Sequence, residues 1–287
     1  MDRSLILAVL LLVLGNNVVI LSDSLIKLLD GFEAPFQFVL FRQLSATLLL
    51  LPVILYFRRP LLPKNLRWHA TRAHIFLIGT VFMVVSLTTL PLATANAIFY
   101  AAPLITVVFA RLLFKERVTI ISLVTAALGM VGVMVILNPT GANIFALAAL
   151  VVATTLALNN LLIKKLPTQH GIIDTLYLTN LLGIPTALIL ALIEFAPFDW
   201  NVLLIAVGSS LFSMIYAATC VYAYRAADSN QVTSAEYTGL LGAVFFGVVF
   251  FAEQPDMRFY IGSMLIVVPL TVLTTMNSRS KTPSQKV

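Results

Sequence analysis

Residues 93–116 read ATANAIFYAAPLITVVFARLLFKE, and residues 230–253 read NQVTSAEYTGLLGAVFFGVVFFAE. Each stretch opens with small and polar residues, carries a tyrosine near its start (Tyr100 and Tyr237), continues with apolar residues and ends on a glutamate. Two separate stretches that share this order of residue types indicate an internal repeat, which has to be identified before single elements are assigned.

A constant offset along the chain extends the repeat beyond these two stretches. The tyrosines are 237 − 100 = 137 positions apart and the closing glutamates are 253 − 116 = 137 positions apart. The same offset relates Lys27 to Lys164. The sequence therefore predicts two copies of one unit, residues 1–138 and 139–277, followed by a short tail, residues 278–287.

The composition predicts an integral membrane protein. Hydrophobic residues make up 60% of the 287 residues, charged residues make up 10%, and the mean hydropathy is +1.00. Soluble domains are about 45–50% apolar and about 25% charged, so a soluble chain of this length would leave much apolar surface in water. The single cysteine, Cys220, excludes an intrachain disulfide.

The apolar runs predict an all-α membrane protein with ten transmembrane helices, each near the length of about 20 residues that one crossing requires. The first run is longer than the apolar region of a signal peptide and lacks a clear cleavage site, so it is interpreted as a retained helix. The predicted helices cover residues 4–27, 36–57, 73–90, 93–114, 119–137, 142–163, 173–193, 201–223, 231–251 and 259–276.

The basic residues predict the orientation of these helices. Fourteen of the 18 lysines and arginines fall on the side of the N-terminus and two on the other side. Because positive loops stay in the cytoplasm, both termini are predicted to be cytoplasmic. Because each unit has an odd number of helices, five, the second unit has the opposite orientation in the membrane. The predicted architecture is therefore a 5+5 inverted repeat. Topology thus accounts for the pI near 9.6, and no nucleic-acid partner is needed.

Several short motifs resemble the EamA domain of the drug/metabolite transporter superfamily. They are the run AAPL at residues 101–104, Glu116 at a predicted helix end, and Gly129 and Gly132 in the next helix. The second unit departs from this pattern, because Leu240 and Ile266 stand where the proline of AAPL and Gly129 map. It still resembles a second EamA copy through the EY pair at residues 236–237 and the EQP run at residues 253–255.

The resemblance implies a secondary transporter of the bacterial inner membrane with a central cavity lined mainly by helices 1–4 and 6–9. It names no substrate, because the family spans amino acids, vitamins such as riboflavin, nucleotide-like metabolites and drugs. A multidrug or toxic-compound exporter is therefore an alternative. Import or export, the coupling ion (a proton or another) and a monomer or homodimer all stay open.

Polar residues in the middle of predicted helices are the candidates for lining the cavity, since lipid would leave them without hydrogen-bond partners. The alternative is that they join helices to one another, at about 0.6 kcal/mol each. The tyrosines among them suit an aromatic or flat apolar solute, although aromatic residues are also ordinary packing residues in membrane proteins. The candidates are Asn16, Asn17, Gln43, Asn96, Tyr100, Asn159, Asn160, Tyr177, Asn180, Tyr216, Tyr222, Glu236 and Tyr237.

Three charges inside predicted helices are candidates for a charge pair or for coupling. Asp23 and Arg42 lie at similar distances from the first predicted loop and are predicted to form an ion pair, because a lone charge at the bilayer centre costs at least about 2.5–3.5 kcal/mol. Glu236 could bind a substrate amine or a proton, or it could form a salt bridge with Arg225 or Arg111.

Catalysis finds little support in the sequence. His69, His74 and His170 show no HExxH spacing and no cysteine partner for zinc, and the chain has no nucleophile-elbow, Walker or dinucleotide-binding motif. No catalytic residue, metal or cofactor is predicted. The alternatives of another class are a membrane enzyme acting on lipid-linked substrates and a scaffold or sensor. The first lacks a cluster of acids or histidines and the second lacks an output domain, so a carrier with a small-molecule substrate is favoured.

Overall fold

The described residues form helices joined by short connections. The computed structural model describes residues 3–29, 34–113, 115, 120–137, 144–226 and 238–279, among which there is no β-strand. The α-helices are α1 (Arg3–Lys27), α2 (Pro35–Tyr56), α3 (Arg67–Thr89), α4 (Leu92–Phe99), α5 (Ala102–Leu112), α6 (Ile120–Leu137), α7 (Ile144–Leu162), α8 (Ile172–Leu181), α9 (Ile184–Glu194), α10 (Trp200–Ala226), α11 (Thr238–Phe251) and α12 (Met257–Arg279). A short 3₁₀ helix, Ile163–Lys165, extends α7.

Helix length and composition confirm a multi-pass membrane protein. Seven segments of the described chain are long and apolar enough to cross a bilayer: Ile6–Lys27, Pro35–Tyr56, Arg67–Thr89, Leu92–Leu112, Phe145–Lys165, Ile172–Glu194 and Trp200–Ala226. Three shorter apolar helices accompany them: Leu123–Ile136, Thr238–Phe251 and Met257–Pro269. Many large apolar side chains on these helices are exposed, as expected for surfaces that face lipid.

Two of the predicted continuous helices are interrupted. The prediction over residues 93–114 is wrong at Tyr100 and Ala101, which separate α4 from α5, and the prediction over residues 173–193 is wrong between α8 and α9. In each case a proline, Pro103 or Pro185, lies in the first turn of the second helix. Proline lacks the N–H that would continue the hydrogen bonding of the preceding helix, so the chain restarts there.

The start of α3 also differs from the prediction. The helix begins at Arg67 rather than at residue 73, because its polar first turns are stabilised by protein contacts: His69 and Arg72 are both buried. Hydropathy alone misses a polar helical turn that packs inside a bundle. The predicted ninth helix began at residue 231, and residues 231–237 lie outside the described part of the chain.

The closest packing joins helices that are far apart in sequence. α1 packs along α10, α3 along α7, and α6 along α12. α2 contacts α8, α9 and α10, while α11 contacts α1 and α4. The first and second halves of the chain therefore interdigitate, and the interior of the bundle is built from both.

Two carboxylates from the second half cap helices of the first half. Glu194 accepts hydrogen bonds from the backbone N–H groups of Phe36 and Gln37 at the start of α2, at 3.0 and 2.7 Å. Glu253 accepts hydrogen bonds from the N–H groups of Leu92 and Ala93 at the start of α4. These N–H groups have no partner inside their helices, and a negative charge there also interacts favourably with the helix dipole. Glu253 thus stabilises the start of α4.

The contact between α6 and α12 depends on two glycines. A Cβ atom added to Gly132 would lie 2.5 Å from the carbonyl oxygen of Gly262, and one added to Gly262 would lie 2.6 Å from that of Gly132. Backbone atoms cannot move aside as a flexible side chain can. Small residues at such a crossing let two membrane helices approach closely.

We expect Gly132→Val to destabilise the protein by about 1–3 kcal/mol, because the larger side chain forces α6 and α12 apart. The measurement is the thermal unfolding midpoint of the detergent-purified protein. Gly171→Ala is the matched control, because a Cβ there meets its nearest atom, Oδ2 of Asp174, at an ordinary 3.5 Å. Equal midpoints for the two variants would contradict the proposed role of the crossing.

Candidate functional site

An internal cavity of about 130 Å³ lies between α1, α2, α3, α4, α5, α7, α8 and α10. Helices from both halves of the chain line it. The break between α4 and α5 also reaches it, since Tyr100 and Ala102 are lining residues. A helix break beside a cavity is tolerated in a membrane protein because the freed backbone groups are shielded from lipid by the surrounding protein.

The structure brings together most of the residues predicted to line a cavity. Asn16, Asp23, Arg42, Asn96, Tyr100, Asn159, Asn160, Asn180 and Tyr216 all line it. Glu236 and Tyr237 lie outside the described residues. Asn17, Gln43, Tyr177 and Tyr222 do not line it.

Packing explains the four residues that lie elsewhere. Asn17 follows Asn16 by one position, so the helical turn carries its side chain to an exposed face. Gln43 is fully buried against Gly183, where a glycine leaves room for its amide. Tyr177 packs in an apolar cluster with Ile54, and Tyr222 packs against another. These two tyrosines are packing residues, the alternative that the sequence left open.

The asparagines use their side-chain N–H groups within their own helices. Asn16 donates to the carbonyl of Leu12 at 2.8 Å, and Asn180 donates to that of Leu176 at 2.9 Å. Asn96 and Asn159 make the same bond one turn back, at 3.2 Å each. These bonds do not join two helices, and they hold each amide in a fixed orientation beside the cavity.

Several polar lining residues escaped the sequence-based prediction. They are Arg72, Thr80, Thr155, Thr179, Ser213 and Cys220. The predicted third helix, residues 73–90, leaves Arg72 in the loop before it, which is wrong. Arg72 lies in α3, is 7% exposed, and donates from Nε to the carbonyl of Asn159 and from Nη1 to Oγ1 of Thr179, at 3.2 Å each. For Thr179 the repeat offers a signal, because the 137-residue offset maps Arg42, a predicted cavity residue, onto this position.

Asp23 and Arg42 both face the cavity but do not form the direct salt bridge that the sequence predicted. Each is 3% exposed, and no nitrogen of Arg42 lies within salt-bridge distance of the Asp23 carboxylate. Asn96 lies beside the carboxylate, while the Arg42 guanidinium lies 6.0 Å from the centre of the Phe76 ring. Each charge still acts electrostatically on the other.

Two buried histidines form a second polar cluster near Arg72. Nε2 of His69 and Nδ1 of His170 are 2.9 Å apart, so one ring donates to the other. Arg225 donates to the carbonyl of His170. Asp174 accepts from the N–H of Gly171 at 2.7 Å and lies 3.5 Å from Arg59. The cluster ties α3, α8 and α10 together at one end of the bundle.

Comparison with known proteins identifies the family. The sequence profile of the EamA-like transporter family matches residues 5–138 and again residues 143–275. The chain belongs to the EamA-like transporter family. Membership confirms the resemblance inferred from the AAPL and glycine motifs. It also establishes that this member is a transporter with a small-molecule substrate rather than a membrane enzyme.

Characterised relatives and a solved structure resemble this family member over most of their length. A protein of Rickettsia prowazekii named S-adenosylmethionine uptake transporter is 23% identical over 93% of this chain and 91% of its own. A riboflavin transporter of Vibrio cholerae is 27% identical over 80% of this chain and 79% of its own. A protein of known crystal structure matches 98% of this chain and all of its own with a TM-score of 0.65 and 19% identity, which shows the fold alone.

We expect Arg72→Gln to lower the unfolding free energy by about 1.5–3 kcal/mol, because hydrogen bonds from a buried cation to α7 and α8 are lost. Arg111→Gln is the matched control, since Arg111 is exposed at the end of α5, and it should change stability by less than about 0.5 kcal/mol. Thermal unfolding of both variants in the same detergent measures the difference. Two equal midpoints would show that Arg72 does not join these helices.

Proposed function

We propose that this EamA-like protein is a secondary transporter of the bacterial inner membrane that moves a small organic metabolite by alternating access through the central cavity. The observation that carries the proposal is the cavity itself, which is lined by polar side chains from both halves of the chain. Transporters built from inverted repeats bind substrate near the bilayer midplane at the interface between the repeats. A cavity between two halves that move relative to each other can open to either side.

The repeat is supported by the lining of the cavity. Seven pairs of lining residues differ in number by 137: Val19 and Leu156, Asp23 and Asn160, Arg42 and Thr179, Phe76 and Ser213, Gly79 and Tyr216, Thr80 and Ala217, and Met83 and Cys220. The family profile also matches the chain twice. We infer two units, residues 1–138 and 139–277, each contributing equivalent positions to one site.

The pattern of helix contacts supports the same two units. The offset of 137 residues relates α1 to α7, α2 to α8–α9, α3 to α10, and α6 to α12. Under this correspondence, the contact of α1 with α10 is equivalent to the contact of α7 with α3. The contact of α2 with α10 likewise has its counterpart in that of α3 with α8. With α4–α5 corresponding to α11, this arrangement is a 5+5 inverted repeat of ten transmembrane segments. The excess of lysine and arginine on one side supports a cytoplasmic position for both termini.

The proposed substrate is an amino acid, a vitamin such as riboflavin, or a related compound. Relatives named as transporters of S-adenosylmethionine and of riboflavin support this range. Asp23 is a candidate for proton coupling, because a buried carboxyl group inside a membrane protein can exchange a proton when a ligand binds or leaves. Two internal units make a monomer sufficient for transport, and a homodimer would place two such cavities side by side.

We expect purified protein in proteoliposomes to take up radiolabelled S-adenosylmethionine or riboflavin in exchange for the same compound inside. Asn16→Ala should reduce that uptake about two- to tenfold, which corresponds to the loss of one hydrogen bond. Asn17→Ala is the matched control, since its amide makes the same bond one turn back but faces away from the cavity. Absence of exchange for both compounds and for an amino-acid panel, with a folded sample, would contradict the proposal.

The single cysteine provides a test of alternating access. Cys220 lines the cavity and is 4% exposed. We expect a small, membrane-impermeant thiol reagent to label Cys220 from either side of an oriented vesicle. A saturating substrate should raise the labelling rate from one side and lower it from the other, because it shifts the population between the two open states. Cys220→Ser controls for labelling of lipid or detergent. Labelling from one side alone, unaffected by substrate, would contradict alternation.

A further inference from the structure

We infer that Asp23 and Arg42 form a two-point site for the zwitterionic head of an α-amino acid, with Asp23 binding the ammonium group and Arg42 the carboxylate. This inference rests on the proposed transport function, and it narrows the substrate from small metabolites in general to compounds that carry an amino-acid head. Its basis is the placement of two opposite charges on one cavity without contact between them.

The two side chains are buried and partly unpartnered. Oδ1 of Asp23 and both Nε and Nη1 of Arg42 are buried, and no group in the described part of the chain hydrogen-bonds them. Polar atoms buried in a folded protein almost always have a partner. Both residues line the cavity, so a bound molecule is the partner that the cavity can supply.

The surroundings fix each charge and leave it available. The Arg42 guanidinium lies over the ring of Phe76. The backbone carbonyl of Arg42 accepts a 2.8 Å hydrogen bond from the hydroxyl of Ser210. Asn96 lies beside the Asp23 carboxylate. The third charge on the cavity, Arg72, is already bonded to α7 and α8. Its hydrogen bonds assign it a structural role, which leaves Asp23 and Arg42 as the recognition pair.

Charge complementarity selects among the possible ligands. An anion would pair with Arg42 and leave Asp23 without a bound partner, a cation would do the reverse, and a neutral molecule would pair with neither charge. Leaving a buried charge unpaired is costly. A zwitterion satisfies both at once, and a guanidinium binds a carboxylate through two parallel hydrogen bonds.

The rest of the cavity indicates what the head is attached to. Phe76, Met83, Phe99, Leu156 and Met214 contribute apolar and aromatic surface to the lining. Such surface accepts an apolar or flat substituent and not a second charged group. The ligand class is therefore an α-amino acid whose side chain carries an apolar or aromatic group.

The first experiment varies the ligand and uses the wild-type protein in detergent. Thermal stability is measured with S-adenosylhomocysteine against 5′-methylthioadenosine, which lacks the amino-acid head, and with L-phenylalanine against phenethylamine and 3-phenylpropionate, which each lack one charge. A ligand that binds only the folded state raises the midpoint. We expect at least one of the two zwitterions to raise it, and its truncated analogues to bind at least about tenfold more weakly.

The second experiment varies the protein. Arg42→Gln should remove the preference for phenylalanine over phenethylamine, because phenethylamine lacks only the carboxylate. Asp23→Asn should remove the preference for phenylalanine over 3-phenylpropionate, which lacks only the ammonium group. Either variant should also bind S-adenosylhomocysteine at least about tenfold more weakly than the wild-type protein does. Arg111→Gln and Asp256→Asn are the matched controls, because both residues are exposed and asparagine can still cap the start of α12. Arg42→Lys keeps the charge if the glutamine variant fails to fold.

The outcomes separate this inference from the proposed function. Stabilisation by a zwitterion that depends on both charges of its head supports the two-point site. Transport of riboflavin by the wild-type protein, with neither zwitterion binding better than its truncated analogue, overturns the site and leaves the transporter proposal standing. Absence of stabilisation by both zwitterions overturns the site as well, and absence of transport in proteoliposomes then removes the proposed function too.

Discussion

The structure depends on one constraint: polar groups inside a membrane must find partners in the protein, because lipid supplies none. Glu194 and Glu253 illustrate it at the helix ends, where carboxylates of the second half accept hydrogen bonds from the free N–H groups that begin α2 and α4. In both cases the partner comes from the other half of the chain. The two halves are therefore joined at their edges by charge and hydrogen bonds, and along their length by close helix packing.

The same constraint gathers the polar side chains into one interior. An asparagine or arginine on a membrane helix faces either a neighbouring helix or a cavity, and here α1, α2, α3, α7 and α8 turn most of theirs to the same cavity. The prolines that restart α5 and α9 add freed backbone groups, and the break before α5 also reaches the cavity. A cavity that is shielded from lipid and lined in part by polar side chains meets the physical requirement for carrying a metabolite across a membrane.

Sequence reasoning found the class of fold and many of the cavity residues because both follow from hydropathy and from the repeat. It failed where only packing decides. Asn16 and Asn17 are chemically identical neighbours, and one helical step of about 100° separates the cavity from an exposed face. Hydropathy begins the third predicted helix at residue 73 and so leaves Arg72 outside it, whereas in the structure hydrogen bonds to Asn159 and Thr179 compensate for its burial. Glu236 and Tyr237, two of the candidates from the sequence, lie outside the described residues.

The charged residues found in the cavity lining all belong to the first repeat unit. Offset by 137, Asp23 corresponds to Asn160 and Arg42 to Thr179, and all four line the cavity. The second unit thus keeps polar groups at the equivalent positions but replaces the two charges by an amide and a hydroxyl. A symmetric lining would hold two acids and two arginines, and each pair of like charges in a small cavity would repel. Among the described lining residues only the first unit supplies charges. A zwitterion that pairs with Asp23 and Arg42 therefore has one orientation within an otherwise two-fold scaffold.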